Sequence, residues 1–183
     1  MRIIGGTAKG RRLASFRGMS IRPTTDKVRE AIFNILPRPF TFKNVLDLFA
    51  GTGAVGIEAL SRGAESVTFV DNDPKAVKII KKNLDVSGFA DKAIIIDRDV
   101  QSALDLLSRK GEKFDLIIID PPYNTSLMGI ALNHIGEKGL LDANGLIVAE
   151  SSKRMIWDRE VKGLKLFDRR RYGDTVVSFY NSI

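Results

Sequence analysis

Apolar residues along this chain fall into two spacings, and their alternation predicts strands separated by helices. Runs of Val, Leu and Ile with few polar residues, such as 45–49 and 114–119, are typical of parallel strands buried on both faces. Between such runs, apolar residues recur at helical spacing, as in the stretch after Pro74. We therefore expect an α/β domain whose mostly parallel seven-stranded sheet ends in an antiparallel hairpin formed by residues 164–171 and 175–180.

The strand at residues 45–49 turns directly into Gly51-Thr52-Gly53, which opens a helix. Asp71 follows Gly51 by 20 residues, at the end of the next predicted strand. In nucleotide-binding folds, glycines at such a turn permit a tight backbone and a close ligand approach, while the distal acid binds ribose hydroxyls. The pattern indicates a cofactor that contains adenosine, without deciding which one.

Asp99 and Val100 lie where the third predicted strand, residues 93–97, gives way to a helix. The Asp99 carboxylate could accept a hydrogen bond from an adenine amino group at this edge of the sheet. An ordinary helix cap explains the same residue equally well, and the two roles are compatible because caps occupy this edge.

The chemistry is expected at Asp120-Pro121-Pro122-Tyr123, which follows the buried run 114–119. Ligands of open α/β folds bind at the carboxyl ends of the strands, where these residues lie. The two prolines stiffen the loop and contribute no N–H, so carbonyl groups and the Asp120 carboxylate remain to accept hydrogen bonds from an NH2 group. Tyr123 offers a flat face on which a ring could stack, so an aminated base fits this loop. An ordinary strand-to-loop turn with an exposed tyrosine is the alternative.

The amino-acid composition narrows the range of chemistry that this domain can perform. Its 183 residues suit a single domain, and the absence of cysteine together with a single histidine removes disulfides, thiolate metal sites and most histidine-based catalysis. No run approaches about 18 apolar residues, and the basic start lacks a signal-peptide core, so we expect a cytoplasmic protein without a membrane segment.

Positive charge is concentrated at the start of the chain. Residues 1–43 carry ten Lys or Arg and two acidic residues, a net charge of +8, whereas the whole chain has +7. Such a concentration is expected where a protein binds a phosphate backbone, although a solvated basic segment gives the same count. We expect residues 1–22 to form a basic arm or hairpin, whose glycines let the backbone approach a partner and whose arginines reach phosphates. Arginines 169–171 could add to the same nucleic-acid face.

Residues 23–183 are expected to hold the N-terminal helix and the catalytic core. Residues 23–26 are typical of a helix start, and apolar residues then recur at helical spacing until the next proline. The residues on the opposite face of this helix, which we expect to be exposed, are Lys27, Arg29 and Glu30.

These features resemble the class I S-adenosylmethionine-dependent methyltransferases, and among them the RsmD-type family. The match covers nearly the whole chain, and its most specific part is the segment 22–30. It also includes residues 2–6, 9–11, 46–53, 120–123 and 172–175. The resemblance implies a Rossmann-like fold and methyl transfer to the exocyclic N2 amine of a guanine, guanine 966 of 16S ribosomal RNA.

The resemblance also implies roles for individual residues. In the wider class, the carboxylate that matches Asp47 lies with the glycine turn around the methionine end of S-adenosyl-L-methionine. The residue that matches Asp71 binds the ribose, and the one that matches Asp99 contacts the adenine. The residues expected to bind the cofactor are Asp47, Phe49, Gly51, Thr52, Gly53, Asp71, Asn72, Asp99 and Val100. Those expected at the reacting amine are Asp120, Pro121, Pro122 and Tyr123. Those expected to bind RNA are Arg2, Lys9, Arg11, Arg12, Arg22, Thr24 and Thr25.

An exocyclic amine is a poor nucleophile because its lone pair is delocalised into the ring. We therefore expect Asp120 and a backbone carbonyl to hold its two hydrogens and to aim the lone pair at the sulfonium methyl. Such positioning contributes on the order of 7 to 11 kcal/mol. Because the donor is already activated, no metal or protein nucleophile is required. The base must leave its stack to reach the loop, and stacking on Tyr123 would return about 1 to 3 kcal/mol.

Three other functions fit parts of the pattern. An adenine-N6 methyltransferase acting on DNA or RNA uses the same loop, but usually has an added recognition domain for which the chain leaves little room. A nicotinamide dehydrogenase leaves the loop and the basic start unexplained, and a noncatalytic RNA-binding module needs neither the cofactor turn nor Asp120. We expect the partner to be 16S ribosomal RNA, free or within a small-subunit assembly particle, and the protein to be a monomer that binds no metal and no membrane.

Overall fold

A computed structural model of the protein describes residues 1–16, 26–123, 125–155 and 159–183. Within these ranges the chain forms five α-helices, one short 3-10 helix (Ala90–Lys92) and a single eight-stranded sheet. The α-helices are α1 (Asp26–Ile35), α2 (Ala54–Arg62), α3 (Pro74–Ser87), α4 (Val100–Arg109) and α5 (Leu127–Lys138). The strands are β1 (Asn44–Leu48), β2 (Ser66–Asp71), β3 (Ala93–Asp97), β4 (Phe114–Ile119), β5 (Leu141–Ser152), β6 (Glu160–Val161), β7 (Leu164–Tyr172) and β8 (Thr175–Ser182).

The strands are arranged in the order β3-β2-β1-β4-β5-β8-β7-β6. The first five are parallel, and β8 is inserted antiparallel between β5 and β7. This confirms the predicted mostly parallel sheet with a terminal antiparallel hairpin. The hairpin turns at Gly173, whose φ of 63° suits glycine, and Tyr172 pairs with Thr175 across the turn. The two-residue strand β6 adds one strand at the edge beyond the seven predicted.

Helices cover both faces of the sheet, as its apolar parallel strands require. On one face α1, α2 and α3 contribute Ile32, Ile57 and Ile80 to a buried cluster. On the other face α4 and α5 contribute Leu104 and Leu132. All five side chains are at most 2% exposed. With both faces covered, the carboxyl ends of the five parallel strands form the edge where α/β folds bind ligands.

The composition of residues 142–145 predicts a turn before a strand at residues 146–150, but the structure makes these residues part of β5. Residues 142–145 carry turn chemistry, but β5 already pairs with β4 at Leu141, and regular pairing resumes at Leu146. The intervening residues form a bulge, in which a Cβ on Gly145 would lie 2.7 Å from a side-chain carbon of Leu141. The turn-forming residues therefore mark an irregularity within β5 and not its start.

Residues 1–14 form a short hairpin, hereafter the N-terminal hairpin, that packs against the domain. Arg2 and Arg12 form an antiparallel bridge at its base. The buried side chains of this hairpin, each at most 6% exposed and part of the core on the face of α1 to α3, are Ile3, Ala8 and Leu13. The hairpin is therefore part of the folded domain and not a flexible arm.

Gly6 of the N-terminal hairpin approaches α2 of the same chain, and not an external partner as the sequence suggested, whereas a Cβ on Gly10 would meet no atom within 4 Å. Thr7 N–H donates to Ser61 O at 2.7 Å, and Ala8 N–H donates to Ser61 Oγ at 3.0 Å. At Gly6, whose φ is 75°, a Cβ would stand only 1.7 Å from Ser61 O. Glycine is therefore required at this position for the hairpin to pack on α2.

Arg29 is wholly buried, whereas the helical pattern predicts it on the exposed face of α1. Its Nη2 donates to Arg2 O at 2.6 Å and to Asp26 Oδ1 at 3.0 Å. Its Nε lies 3.9 Å from Glu58 Oε2 on α2. The prediction is wrong for Arg29, whereas Lys27 and Glu30 are exposed as expected. The N-terminal hairpin reaches Arg29 and supplies a carbonyl acceptor, without which burial of the charge would be less favourable.

Glu58 is the second buried charge at the junction of the hairpin, α1 and α2. Its carboxylate accepts hydrogen bonds from the N–H groups of Ile4 and Gly5 and from Arg62 Nε, each at 2.8 Å. Because it binds the hairpin backbone and also faces Arg29, it joins all three elements. The pair holds the N-terminal hairpin on the helix that begins at the glycine turn.

Candidate active site

The glycine turn, residues 51–53, leaves β1 through a backbone that is left-handed at three positions. Gly51 and Gly53 have φ of 55° and 74°, and Phe49 has φ of 63°. This conformation is ordinary for glycine but costs other residues about 1 to 3 kcal/mol, and such strain is concentrated at functional sites. Phe49, a predicted cofactor contact, therefore carries strained backbone at the entrance to the turn.

Two carboxylates bind the backbone around this turn. Asp71, at the end of β2, accepts from Gly51 N–H at 2.7 Å through Oδ2 and from Asp73 N–H at 2.9 Å through Oδ1. Asp47, in β1, accepts from Gly56 N–H in the first turn of α2 at 2.9 Å. Asp71 is half-buried, whereas Asp47 is only 2% exposed. The structure thus brings both predicted carboxylates to the glycine turn.

Burial changes the acidity of Asp47. Removal from water raises its pKa to about 7, against the opposing hydrogen bond from Gly56 N–H and with an added contribution from the Asp71 carboxylate. Near neutral pH the carboxyl is therefore divided between its neutral and ionised forms. A cationic ligand bound beside it would favour the ionised form by direct attraction.

Open space borders the turn at Gly51. A Cβ built on Gly51 would meet no atom closer than Phe49 O at 3.9 Å. One helical turn further on, packing is tight, since a Cβ on Gly56 would lie 2.3 Å from the ring of Phe69 in β2. The start of α2 is therefore packed on the sheet, while the turn leaves room at Gly51 for a ligand to approach its backbone.

Asp99 caps α4, which is one of the two roles that the sequence leaves open. Its Oδ1 accepts from Ser102 N–H at 3.0 Å and its Oδ2 from Ser102 Oγ at 2.7 Å. These bonds hold the pKa of the carboxyl below its usual range. Asp99 and Asn72 are exposed, while Val100 is buried as the first residue of α4. The Asp99 carboxylate keeps lone pairs that a ligand could use in addition to the cap.

Residues 120–123, hereafter the acceptor loop, begin beside the glycine turn. Leu48 of β1 pairs with Ile119 of β4, and Asp120 N–H donates to Leu48 O across a long 3.5 Å. Since neighbouring strands lie about 4.8 Å apart, Phe49 and Asp120 leave the sheet side by side. The predicted cofactor turn and the predicted acceptor loop are thus adjacent.

Tyr123 is held by its hydroxyl at the end of the acceptor loop. The phenol O–H donates to Glu150 Oε1 at 2.7 Å, and Thr175 Oγ1 lies 3.0 Å from the phenol oxygen. Glu150 and Thr175 are 6% and 2% exposed. Burial raises the pKa of the phenol, with opposition from the Thr175 hydrogen bond and support from the Glu150 carboxylate, so the hydroxyl stays protonated. Pro121 is buried and Pro122 is exposed.

Sequence patterns do not single out Glu150 as a site residue, and they mark Thr175 only within the family resemblance. The available signal for Glu150 is its place at the carboxyl end of a predicted strand, residues 146–150, the same kind of position that identifies Asp120. Thr175 has no such signal. Because β8 is antiparallel, the register with β5 must be known before its first residue can be placed at this edge.

Arg11, expected to bind RNA, binds the chain itself. Its Nη1 donates to the carbonyl oxygens of Val86 and Ser87 at 3.2 and 2.7 Å, at the C-terminal end of α3. The expected RNA-binding residues whose side chains are exposed and make no hydrogen bond or ion pair within the described ranges are Arg2, Lys9 and Arg12. The others, which lie outside the described residues, are Arg22, Thr24 and Thr25.

Other features of the described ranges lie apart from this site. One cleft of about 290 Å³ is lined by residues of β3 and α4, including Ile96 and Leu107, and by none of the glycine turn or acceptor loop. Among the residues that the structure describes, no helix is long and apolar enough to span a membrane. The same residues include no group of three or more His, Asp or Glu that could hold a metal ion.

Solved structures share this architecture over the whole chain. A hypothetical protein of Thermus thermophilus has a TM-score of 0.85 at 30% identity, covering 100% of this chain and 99% of that one. A candidate methyltransferase of Escherichia coli, yhhF, has a TM-score of 0.83 at 33% identity, covering 100% and 97%. The sheet order and the adjacent turn and loop define a class I methyltransferase, the class that takes its methyl group from S-adenosylmethionine.

The family model described as Conserved hypothetical protein 95 matches residues 1–181, and the chain belongs to this family, the RsmD-type family that its sequence resembles. Ribosomal RNA small subunit methyltransferase D of Haemophilus influenzae is 37% identical over 156 residues, covering 84% of this chain and 79% of that protein. YlbH of Bacillus subtilis (strain 168), named as a candidate rRNA methyltransferase, is 41% identical over 180 residues and covers 98% of each.

Proposed function

We propose that this protein transfers the methyl group of S-adenosyl-L-methionine to the exocyclic N2 amine of a guanine in 16S ribosomal RNA, guanine 966. The observation that carries the proposal is the pairing of Leu48 with Ile119, which sets the glycine turn and the acceptor loop side by side. A donor held by the turn and a base held by the loop would meet across two neighbouring strands.

The glycine turn and its carboxylates form the donor side. S-adenosylmethionine supplies a methyl group that is already activated by its positively charged sulfur. Gly51 leaves space for the cofactor against the backbone, Asp71 presents acceptors for ribose hydroxyls, and Asp99 presents one for the adenine amino group. The ionised form of Asp47 would attract the positive charge at the methionine end.

The acceptor loop forms the base side. Asp120 and a carbonyl of the following prolines accept the two hydrogens of the amine, which aligns its lone pair with the methyl group. Alignment is the main device for such a weak nucleophile and is worth on the order of 7 to 11 kcal/mol. Tyr123, whose hydroxyl is bound to Glu150 and Thr175, offers its ring to the flipped base for about 1 to 3 kcal/mol of stacking.

The N-terminal hairpin provides a basic surface for the RNA. Arg2, Lys9 and Arg12 are exposed there, within the first 43 residues that together carry a net charge of +8. Relatives named ribosomal RNA small subunit methyltransferase D support small-subunit RNA as the substrate. We further propose that a small-subunit assembly particle presents this RNA and that the protein acts as a monomer.

Mass mapping of methylated nucleosides tests the proposed reaction. The protein is incubated with S-adenosylmethionine and undermethylated small-subunit RNA, either free or in particles, and the nucleosides are identified after digestion. N2-methylguanosine is the expected product. Detection of N6-methyladenosine instead would show that the target base is adenine. The absence of any methylated product would overturn methyl transfer to this RNA.

The Asp120→Ala variant tests the assignment of the acceptor loop. We expect turnover to fall by about 10²-fold or more because the amine is no longer aligned. Calorimetry should show unchanged S-adenosylmethionine affinity, since Asp120 is assigned to the base. Asp91→Ala, which removes an aspartate in the 3-10 helix, is the matched control. Near-normal turnover would contradict the assignment, and lost cofactor binding would move Asp120 to the donor side.

A further inference from the structure

We propose that Glu150 and Thr175 are positioning residues that fix the Tyr123 ring as the stacking surface for the target base. The inference rests on the proposed function and extends it to two side chains that do not touch the substrate. Their role is to set where the acceptor loop ends and which way its ring faces.

Three side chains from three elements converge at this point. Tyr123 comes from the acceptor loop, Glu150 from β5 and Thr175 from the first position of β8. The phenol oxygen lies 2.7 Å from Glu150 Oε1 and 3.0 Å from Thr175 Oγ1. With the phenol donating to the carboxylate, its oxygen is left to accept from the threonine hydroxyl. Two directional bonds fix both the position of the phenol oxygen and the direction of its O–H.

The acceptor loop is thereby bound at both ends. At its start Asp120 N–H donates to Leu48 O, and at its end the Tyr123 hydroxyl donates to Glu150 Oε1. Thr125 Oγ1 donates to Pro122 O at 2.8 Å and closes the turn that follows. A loop held in this way presents its acceptors and its ring in one geometry before the base arrives, which lowers the cost of ordering them on binding.

The degree of burial distinguishes this arrangement from ordinary core packing. Tyr180 is wholly buried and serves the core, whereas Tyr123 is only half-buried. The two groups that hold Tyr123 are nevertheless nearly inaccessible, at 6% and 2% exposed. Desolvating a carboxylate and a hydroxyl is costly. Burial of these two groups holds a ring that is itself partly exposed. Such an arrangement is expected where the exposed part of the ring binds a ligand.

The protonation of the phenol supports the same geometry. Burial raises the pKa of Tyr123, and the Glu150 carboxylate beside it adds to the rise. The O–H therefore remains available as a donor throughout the pH range in which RNA is stable. The hydrogen bond to Glu150 therefore persists over that range.

Substitutions at the three residues provide the test, with a disruptive and a conservative variant at Thr175. Tyr123→Phe removes the hydroxyl and keeps the ring, and Thr175→Val removes one partner with little change of shape. Thr175→Ser and Glu150→Gln keep an oxygen that can make the bond. Thr68→Val, which changes a buried threonine in β2, is the matched control for loss of a hydroxyl from the sheet.

Two measurements separate positioning from stability. We expect Tyr123→Phe to lower kcat by about 10²-fold and Thr175→Val by about tenfold, with the conservative variants within about threefold of wild type. The KM for S-adenosylmethionine should stay constant. RNA with 2-aminopurine at the target position should show fluorescence quenching by stacking in the wild type, and less in the two disruptive variants.

The outcomes distinguish the inference from the function on which it rests. If the wild type makes N2-methylguanosine and Thr175→Val matches its kcat and quenching, the positioning role is overturned and the function stands. If Tyr123→Phe fails to fold, Thr175→Val still decides. If the wild-type protein neither methylates nor binds the RNA, both proposals are overturned together.

Discussion

Gly6 and Gly51 share a left-handed backbone, with φ of 75° and 55°, but differ in what lies beside them. At Gly6 a Cβ would stand 1.7 Å from Ser61 O, whereas at Gly51 it would meet nothing closer than Phe49 O at 3.9 Å. The chain's own helix occupies the space beside the first glycine, and open space borders the second. Glycine-rich segments can therefore serve packing or a ligand, and the neighbouring atoms decide which.

Gly6→Ala should be the most damaging change, because its Cβ cannot coexist with Ser61 O and the N-terminal hairpin must leave α2. Exposing Ile3 and Leu13 would then lose about 1.5 to 3 kcal/mol each. We expect the free energy of unfolding in urea to fall by about 3 to 5 kcal/mol. Gly10→Ala, at a position with φ of 88° and no atom within 4 Å, is the control. Its free energy of unfolding should fall only by the cost of backbone strain. Equal losses would rule out the packing explanation.

The pH dependence of stability tests the carboxylate beneath the glycine turn. Burial raises the pKa of Asp47 from 3.8 to about 7, so the folded protein keeps a proton that the unfolded chain loses between these values. The free energy of unfolding therefore has its full contribution from this proton below about pH 4. It falls by at most about 4 kcal/mol as the pH rises to about 7. Asp47→Asn should remove this decline in urea unfolding, while the variant Asp91→Asn in the 3-10 helix should keep it. An unchanged decline in Asp47→Asn would assign the proton to another group.

Gly51→Val should leave the fold in place and weaken S-adenosylmethionine binding, because its side chain would enter the space proposed for the cofactor. We expect an affinity loss of at least about tenfold by calorimetry, or about 1.4 kcal/mol, with RNA affinity little changed. Gly111→Val, with φ of 70° and no atom within 4 Å, controls for backbone strain. Asp71→Ala should act in the same direction, but it also removes the bonds to Gly51 and Asp73. Unchanged cofactor affinity in Gly51→Val would contradict the placement.

Arg11 and Arg12 differ in the same way as the two glycines, since the Arg11 side chain contacts the chain itself and the exposed Arg12 side chain makes no such bond within the described ranges. Substitution of either residue should have the smallest effect of the four predictions. Arg12→Ala should reduce the magnitude of the log-log salt slope of RNA binding by about 0.7 to 0.9, the effect of one phosphate contact. Arg11→Ala should change the slope less, because Arg11 already binds α3 carbonyls. Deleting residues 1–13 is unsuitable because it removes part of the core. A slope that neither variant changes would move the RNA face elsewhere, such as arginines 169–171.

Much of the fold can be predicted because its signals are local. The apolar runs identify β1 and β4, and Gly63, a residue type that commonly ends helices, ends α2. Asp73, a favoured capping residue directly before Pro74, caps α3, and its carboxylate accepts from Lys75 N–H at 2.8 Å. Each of these features depends on residues a few positions apart, so no knowledge of tertiary contacts is needed.

Contacts between distant segments explain what the sequence could not predict. Glu58 accepts from Ile4 N–H, 54 residues away, and Arg29 reaches Arg2 O, 27 residues away. Helical spacing alone places Arg29 on the polar face of α1, and only the docked hairpin brings the Arg2 carbonyl that accepts a hydrogen bond from its buried guanidinium. The register of β5 is a similar case, because turn-forming residues were accommodated as a bulge against β4.

The candidate site shows the same division. Asp120 and Asp71 can be placed from sequence because both lie at the carboxyl ends of strands that meet at one edge. The partners of Tyr123 cannot, since Glu150 and Thr175 lie 27 and 52 residues from it. Their approach depends on β8 lying next to β5 in one particular register.

The position of β8 also has a consequence for how the protein is made. β8 follows β7 in the chain yet lies between β5 and β7 in the sheet, so the place beside β5 cannot be filled until both later strands have emerged from the ribosome. The glycine turn is synthesised long before Thr175, which arrives only with β8. Under the role proposed for Thr175, a nascent chain can form the glycine turn early but can complete the acceptor loop only after β8 has emerged.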